Sequence, residues 1–169
     1  MSILSRLFGK MGQTPVAPPA QEEKKTSTHK VAGTSFRQAA IKALGTKNPD
    51  FALTKGELFK RGLDEVYEYT FNPKKAELVP EPDNPDDPNA IKVVVDGVHV
   101  GYIKAGSCAR IHKLIRECRI EKIEAQIVGG KSKYLCTYDT DPKKLSDYTL
   151  ERSDGSFGVQ LTITEAKNS

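Results

Sequence analysis

The residues best placed to do chemistry lie in a short, acidic, proline-rich stretch. Residues 80–89 contain four prolines, four acidic residues and two asparagines. Proline lacks a backbone donor and clashes with the preceding helical turn, so this stretch is expected to form a loop and not a helix. Its Asp and Asn side chains can bond nearby amides, which makes the loop rigid. Carboxylates held in this way can accept hydrogen bonds from a ligand or surround a hard cation.

Strands on both sides of the acidic loop are expected to position it. Residues 76–80 precede it as a short strand, and residues 90–95 and 98–103 follow it as a hairpin. Asp96 and Gly97 suit the two positive-φ positions of a type I′ turn between them. We expect a recognition surface here, because rigid loops at a sheet edge often carry binding residues.

Short strands dominate the rest of the chain and predict a mainly β fold with inserted helices. This pattern favours a small, partly open antiparallel barrel of the OB-like or SH3-like kind. The other expected strands are residues 30–36, 65–71, 120–128, 133–138, 148–151 and 157–164, with a turn at Asp154-Gly155 between the last two. The expected helices are residues 37–44, a helix capped by Thr54 that runs through Leu63, and residues 107–119.

Composition limits the class of protein. The chain has 169 residues, 37% of them hydrophobic, which suits one domain with tails. A net charge of +4 permits binding to an acidic polymer without demanding it. We expect residues 1–28 to form a disordered tail and linker that is amphipathic at its start. We expect residues 29–166 to form the folded domain. No segment approaches the roughly 20 apolar residues of a membrane-spanning helix.

The sequence offers no persuasive catalytic or metal-binding arrangement. His29, His99 and His112 are scattered, and the spacing of Cys108 and Cys118 matches no zinc pattern. The three cysteines are an odd number, which argues against a disulfide framework and for a reducing compartment. We therefore expect buried structural thiols, a cytoplasmic location, no cofactor, no metal and no enzymatic activity.

The first strand, the acidic loop and the hairpin together resemble the HIRAN domain family. The pattern of that family reads roughly P-x-N-P-x-D-x-N-A-I-x-V, followed by a strand with V-G and then Tyr, His or Phe. This chain supplies Pro82, Asn84, Pro85, Asp87, Asn89, Ala90, Ile91 and Val93, then Val100, Gly101 and Tyr102. The resemblance covers residues 30–114 well and the C-terminal strands at 120–164 only loosely.

The resemblance implies an OB-like barrel that binds single-stranded DNA and prefers a free 3′ end. Members of the family occur as modules of remodelling helicases that act at stalled replication forks, and as stand-alone bacterial proteins, which this chain looks like. A role in DNA repair or replication-fork processing is therefore expected. The chain has no GxxxxGK(S/T) phosphate loop, so ATPase activity is not implied.

The resemblance also suggests a role for each candidate site residue. Asp87, with Asn84, would sense the terminal hydroxyl, because a carboxylate accepts a hydrogen bond from a hydroxyl and repels a phosphate. Phe36 and Tyr102 would contact bases. The residues expected to neutralise phosphates are Arg37, Lys92 and Lys104. Asp86 occupies a position where an aromatic residue is common in the family, which weakens the expected grip on a base.

Each of these residues also has a structural interpretation. Asp87 and Asn84 would then only cap their own loop, Phe36 and Tyr102 would belong to the core, and the basic side chains would form a solvated rim. Two alternative functions stay open. One is a protein-interaction domain that docks a peptide on the acidic loop and contacts a partner through its N-terminal tail. The other is a metal-dependent nuclease that uses the loop carboxylates.

Overall fold

The computed structural model describes residues 24–166, which form nine strands, three α-helices and three 3₁₀ segments. The strands are β1 (Thr26–Lys30), β2 (Thr46–Lys47), β3 (Glu65–Tyr67), β4 (Tyr69–Thr70), β5 (Ala76–Pro80), β6 (Ile91–Val95), β7 (Val98–Tyr102), β8 (Ile120–Cys136) and β9 (Thr149–Glu165). The helices are α1 (Gln38–Ala43), α2 (Lys55–Arg61) and α3 (Ala105–Arg116). The 3₁₀ segments are Thr34–Arg37, Pro49–Ala52 and Leu145–Asp147.

The strands form three antiparallel sheets. The largest has the order β1-β9-β8-β3, the second pairs β2 with β4, and the third has the order β5-β6-β7. The predicted mainly β, antiparallel fold with inserted helices is confirmed. The sheets within residues 24–166 do not close into a barrel, and the OB-like arrangement stays a prediction.

The β5-β6-β7 sheet carries the acidic loop, as predicted. β5 and β6 pair along their whole lengths up to Pro80 and Ile91, so the loop joins two strands that are still in register at its ends. Asp96 and Gly97 turn β6 into β7 with φ values of 47° and 82°, which confirms the predicted positive-φ turn.

One hydrophobic cluster joins this sheet to α3 and β9. Successive residues of a strand point to opposite faces of the sheet, and in β6 the alternation buries Ile91, Val93 and Val95. The same alternation leaves Lys92 on the outer face. The other elements contribute Cys108, Ile111 and Leu114 from α3, and Val159, Leu161 and Ile163 from β9.

The chain before the acidic loop differs from the prediction. The predicted strand at residues 30–36 is wrong, because the chain turns at Gly33, with a φ of 73°, into the 3₁₀ segment that contains Phe36. The first strand is β1, which begins at Thr26 inside the predicted linker because all five of its residues pair with β9. Residues 1–23 of the predicted tail lie outside the described residues.

Two long strands replace the predicted short strands at the C-terminal end. β8 continues through Gly129 and Gly130, and β9 continues through the predicted turn at Asp154-Gly155. The two pair along almost their whole lengths, with an irregularity next to Gly129, so long-range pairing holds these glycines within strands. The predicted strand at residues 65–71 is instead divided between β3, which pairs with β8, and β4, which pairs with β2.

The helices follow local signals in the sequence. Thr54 caps α2 as predicted and forms a capping box with Glu57, whose carboxylate accepts the Thr54 N–H at 2.7 Å. Gly62, with a φ of 64°, ends the same helix. All three predicted helices exist, with bounds that differ by a few residues.

The three cysteines are free thiols. Cys108 is buried in α3 and Cys136 is half-buried, but Cys118 is exposed just after α3, so the prediction of a buried thiol is wrong for Cys118. Among residues 24–166, no helix has both the length and the apolar character needed to cross a membrane.

Candidate nucleic-acid interface

The acidic loop is held by its own side chains. Asn84 Oδ1 accepts the backbone N–H groups of Asp86 and Asp87, at 3.0 and 3.3 Å. Asp87 Oδ1 accepts the N–H of Asn89 at 2.8 Å. His112 Nε2 lies 2.9 Å from the Asn89 carbonyl and ties the loop to α3. The predicted caps by Asn84 and Asp87 are thus both present.

A cavity of about 320 Å³ opens between the acidic loop and the start of α3. Four of the predicted site residues line it, namely Asn84, Asp87, Tyr102 and Lys104. Asp87 Oδ2 accepts no hydrogen bond from residues 24–166 and stays available to a ligand. Asp87, Tyr102 and the exposed Lys104 therefore line one space, which we call the loop cavity.

A second group of polar side chains lies on the outer face of the same sheet. Lys92 and Tyr102 are paired neighbours on β6 and β7. Lys92 Nζ lies 2.6 Å from Glu81 Oε1, and Asn84 Nδ2 donates to Glu81 Oε2 at 3.2 Å. The Tyr102 ring packs edge-on against His99, with the ring centroids 4.8 Å apart. Lys92, predicted to bind a phosphate, already holds the Glu81 carboxylate.

The charges of this outer group shift its pKa values. The pKa of Glu81 lies below its ordinary value, mainly because Lys92 donates a hydrogen bond to its carboxylate. Asn84 and Tyr102 lower the same pKa to a smaller extent. Burial is the main cause that raises the pKa of Tyr102, and the Glu81 carboxylate is the second. The phenol therefore remains protonated at neutral pH and can donate a hydrogen bond. Burial, followed by the Arg37 cation, lowers the pKa of His99. Arg37 is therefore close enough to act on this group.

Phe36 and Arg37 belong to the 3₁₀ segment Thr34–Arg37, which contacts β7. Ala32, which lines the cavity, exchanges two backbone hydrogen bonds with Tyr102, at 2.8 and 2.9 Å. This pairing fixes the 3₁₀ segment next to β7. The Phe36 side chain is 89% exposed, so the interpretation of Phe36 as a core residue is wrong. Tyr102 is half-buried and lines the cavity.

Comparison with known families agrees with this architecture. Residues 60–140 match the family model of the HIRAN domain. The resemblance to the HIRAN family that the sequence indicated is confirmed over these residues. The HIRAN domain is generally associated with DNA binding, so the family indicates a nucleic-acid partner. Searches of curated proteins and of solved structures each found no match.

The matched residues contain the acidic loop and the whole β5-β6-β7 sheet, and hence most of the residues that line the loop cavity. Phe36 and Arg37 lie before the matched range. Their roles therefore rest on the sequence resemblance and on their position beside Tyr102.

Glu81 belongs to the interface, although its contacts were not predicted from the sequence. The available signal was the two-residue periodicity of the strand. Val79 pairs with Lys92, so Glu81, two residues further on, lies toward the same face as Lys92. His99 packs against Tyr102, three residues further along β7, where the pairing of β6 with β7 shifts register between Val93 and Val94. Regular alternation would place the two side chains on opposite faces, so no signal in the sequence indicated this contact.

The loop carboxylates do not converge on one point. The Glu81 carboxylate contacts Lys92, whereas Asp87 lines the loop cavity. Among residues 24–166, no group of three or more His, Cys, Asp or Glu side chains is arranged to hold a metal ion. No observation here favours the metal-dependent nuclease.

Proposed function

We propose that this protein is a non-enzymatic HIRAN module that binds single-stranded DNA at its free 3′ end, in DNA repair or replication-fork processing. The observation that carries the proposal is the loop cavity, which Asp87, Tyr102 and Lys104 line together, while one carboxylate oxygen of Asp87 accepts no hydrogen bond from residues 24–166. A volume of about 320 Å³ is at the low end for ligand pockets, so it suits a terminal nucleotide better than a longer segment.

The chemistry of Asp87 supports selection for an uncapped end. A 3′-hydroxyl can donate a hydrogen bond to Asp87 Oδ2, whereas a 3′-phosphate would bring a second negative charge to the same carboxylate. Hydrogen bonds to charged groups contribute about 1.5–3 kcal/mol. We therefore expect about 10- to 100-fold tighter binding of a 3′-hydroxyl strand than of a 3′-phosphate strand.

The groups around the cavity support binding of a single strand. Phe36 is exposed and can stack on a base, and such stacking contributes about 1–3 kcal/mol. Lys104 lines the cavity, and Arg37 is close enough to Tyr102 to affect the pKa of its phenol, so both can neutralise phosphates of a strand bound there. A duplex end would have to open before its terminal base could reach Phe36, so single strands should bind more tightly.

The test is a fluorescence polarisation titration with short oligonucleotides labelled at the 5′ end. The strands should be identical except for a 3′-hydroxyl or a 3′-phosphate, with a duplex for comparison. We expect the order 3′-hydroxyl strand, 3′-phosphate strand, duplex, from tightest to weakest. Affinity should also fall as salt is added, because phosphate contacts release counterions.

The variant Asp87→Asn separates recognition of the strand end from the shape of the loop, because it removes the charge and turns the free carboxylate oxygen into an amide donor. Asn retains an oxygen that can accept the Asn89 N–H, so the loop should keep its shape while repulsion of a 3′-phosphate is lost. Asp83→Asn is the matched control, since Asp83 is exposed in the same loop and does not line the loop cavity. The preference for a 3′-hydroxyl should collapse in Asp87→Asn and persist in Asp83→Asn. Equal binding of both strands by the wild-type protein would refute end recognition.

The protein-interaction alternative has a separate outcome. If neither DNA nor RNA binds at low salt, the loop cavity would be better explained as a peptide site. Contact with a partner through the tail involves residues 1–23, which lie outside the described residues, and stays a prediction.

A further inference from the structure

The Glu81 carboxylate lies at the point where several groups predicted to bind DNA meet. It accepts a hydrogen bond from Lys92 Nζ at 2.6 Å and from Asn84 Nδ2 at 3.2 Å. Tyr102 is a third neighbour, near enough for its hydroxyl to influence the same carboxylate. The carboxylate therefore receives one cationic donor and one neutral donor, with the Tyr102 side chain nearby.

The arrangement follows from the sheet register. Lys92 pairs with Val79 on one side and with Tyr102 on the other, so Lys92 and Tyr102 are cross-strand neighbours on the outer face. Glu81 follows β5 by one residue and reaches Lys92 from the loop. The side chains of Glu81 and Lys92 are 24% and 29% exposed, so the pair is shielded but accessible from solvent.

We propose that Glu81 occupies the position of a backbone phosphate, and that a DNA strand binds by taking Lys92 from it. A phosphodiester oxygen is an anionic acceptor like the carboxylate, and the Lys92 and Asn84 donors suit it equally. This inference rests on the proposed function, because it assumes that the strand end enters the adjoining loop cavity. Glu81 then sets the affinity of the site, since each strand must displace an internal anion before it gains the Lys92 contact.

The central variant is Glu81→Gln, which keeps the size of the side chain and one of its two acceptor oxygens but removes its charge. We expect a 3′-hydroxyl strand to bind about 3- to 10-fold more tightly, slightly above the effect of an exposed ion pair because this pair is shielded. If Lys92 neutralises a phosphate more fully, the slope of log affinity against log salt should also become steeper by about 0.7.

Glu77→Gln is a matched control on β5, the strand that precedes Glu81. Glu77 Oε1 lies 2.9 Å from Lys75 Nζ, and Glu77 neither lines the loop cavity nor forms an ion pair with Lys92. Its substitution nevertheless changes the net charge by the same amount. We expect less than a twofold change in affinity, with the salt slope unchanged. In a Lys92→Gln background, Glu81→Gln should give no gain, because the displaced cation is already absent.

Several results would overturn the inference. Equal gains in Glu81→Gln and Glu77→Gln would mean that net charge alone matters. Weaker binding by a folded Glu81→Gln would mean that Glu81 positions Lys92 for the strand and does not compete with it. No change in affinity, with the preference for a 3′-hydroxyl retained, would refute the role of Glu81 and leave the proposed function intact. Absence of DNA binding by the wild-type protein would refute the proposed function itself.

An experiment on the wild-type protein covers the case in which Glu81→Gln fails to fold. The carboxyl ¹³C resonance of Glu81 can be titrated with and without a saturating 3′-hydroxyl strand. Transfer of Lys92 to the strand removes the main donor to Glu81, so the pKa of Glu81 should rise toward its ordinary value in the complex. An unchanged pKa in the complex would show that the ion pair survives binding and would overturn the inference.

Discussion

Substitution of Gly101 by Ala tests whether the candidate nucleic-acid interface depends on one close approach of two backbone segments. A Cβ atom on Gly101 would lie 2.3 Å from the Ala32 carbonyl oxygen and 2.6 Å from Val31 Cγ1. Gly101 also has a φ of 152°, which side chains rarely allow. The neighbouring Tyr102 exchanges both of its backbone hydrogen bonds with Ala32, so the clash falls on the pairing that positions Phe36.

The expected cost can be assembled from these contacts. Overpacking in a well-packed region costs about 1–3 kcal/mol. If the Ala32–Tyr102 pairing opens to relieve the clash, two hydrogen bonds are lost, each worth about 1 kcal/mol. We therefore expect Gly101→Ala to lower the free energy of unfolding by about 3–5 kcal/mol. For a domain of this size, that corresponds to a fall of about 6–20 °C in Tm.

The matched control is Gly97→Ala in the hairpin turn. Gly97 has a φ of 82°, but a Cβ there would meet no heavy atom within 4 Å, so only backbone strain of about 1–2 kcal/mol applies. Urea denaturation and thermal melting of both variants would separate the two terms. Equal losses would refute the argument, because the close approach to Ala32 would then contribute nothing. At a temperature where both variants are folded, Gly101→Ala should also lose more affinity for DNA.

Three further predictions concern other parts of the domain. Phe36→Ala should change stability by less than about 0.5 kcal/mol, because the side chain is 89% exposed, but weaken binding of single strands about 5- to 150-fold in a polarisation titration. Thr54→Ala removes the capping box of α2 and should lower the free energy of unfolding by about 1–2 kcal/mol in urea denaturation. Burial and Arg37 lower the pKa of His99 from 6.5, so the unfolded chain binds more protons just below that pH. Stability should therefore fall as the pH drops below about 6.5, and His99→Gln should remove part of that fall.

The sequence predicted the acidic loop and its sheet well because their signals are local. Asp96-Gly97 determines the hairpin turn, and the prolines and Asx residues determine the loop. Each of these features acts over a few residues, so no knowledge of distant contacts was needed. The resemblance to the HIRAN family depends on the same residues.

The sequence failed where distant contacts decide the structure. β1 is polar and carries no strand signal of its own, but all of its residues pair with β9, more than 100 positions away. Asp154-Gly155 has the composition of a turn, yet Asp154 pairs with Lys131 and stays in β9. Propensity is a weak preference that such pairing overrides.

Two features of the candidate interface, the Glu81–Lys92 contact and the exposure of Phe36, could not be predicted because they also depend on the folded structure. Glu81 was predicted only as one of several loop acids, because its partner Lys92 lies eleven residues further along the chain. Phe36 was placed at the end of a strand, whereas the turn at Gly33 places it on a 3₁₀ segment and exposes it. The residue types of the site were thus predictable from the sequence, but their pairing was not.

The two interpretations of Asp87 turn out to be compatible. One carboxylate oxygen accepts the Asn89 N–H and shapes the loop, while the other accepts no hydrogen bond from residues 24–166 and can meet a strand terminus. Replacement by Ala would remove both at once and could not separate folding from recognition. Asn84 differs, because its oxygen caps the loop twice and its amide donates to Glu81, which leaves it little capacity for a ligand. The discrimination between DNA ends should therefore depend on Asp87 far more than on Asn84.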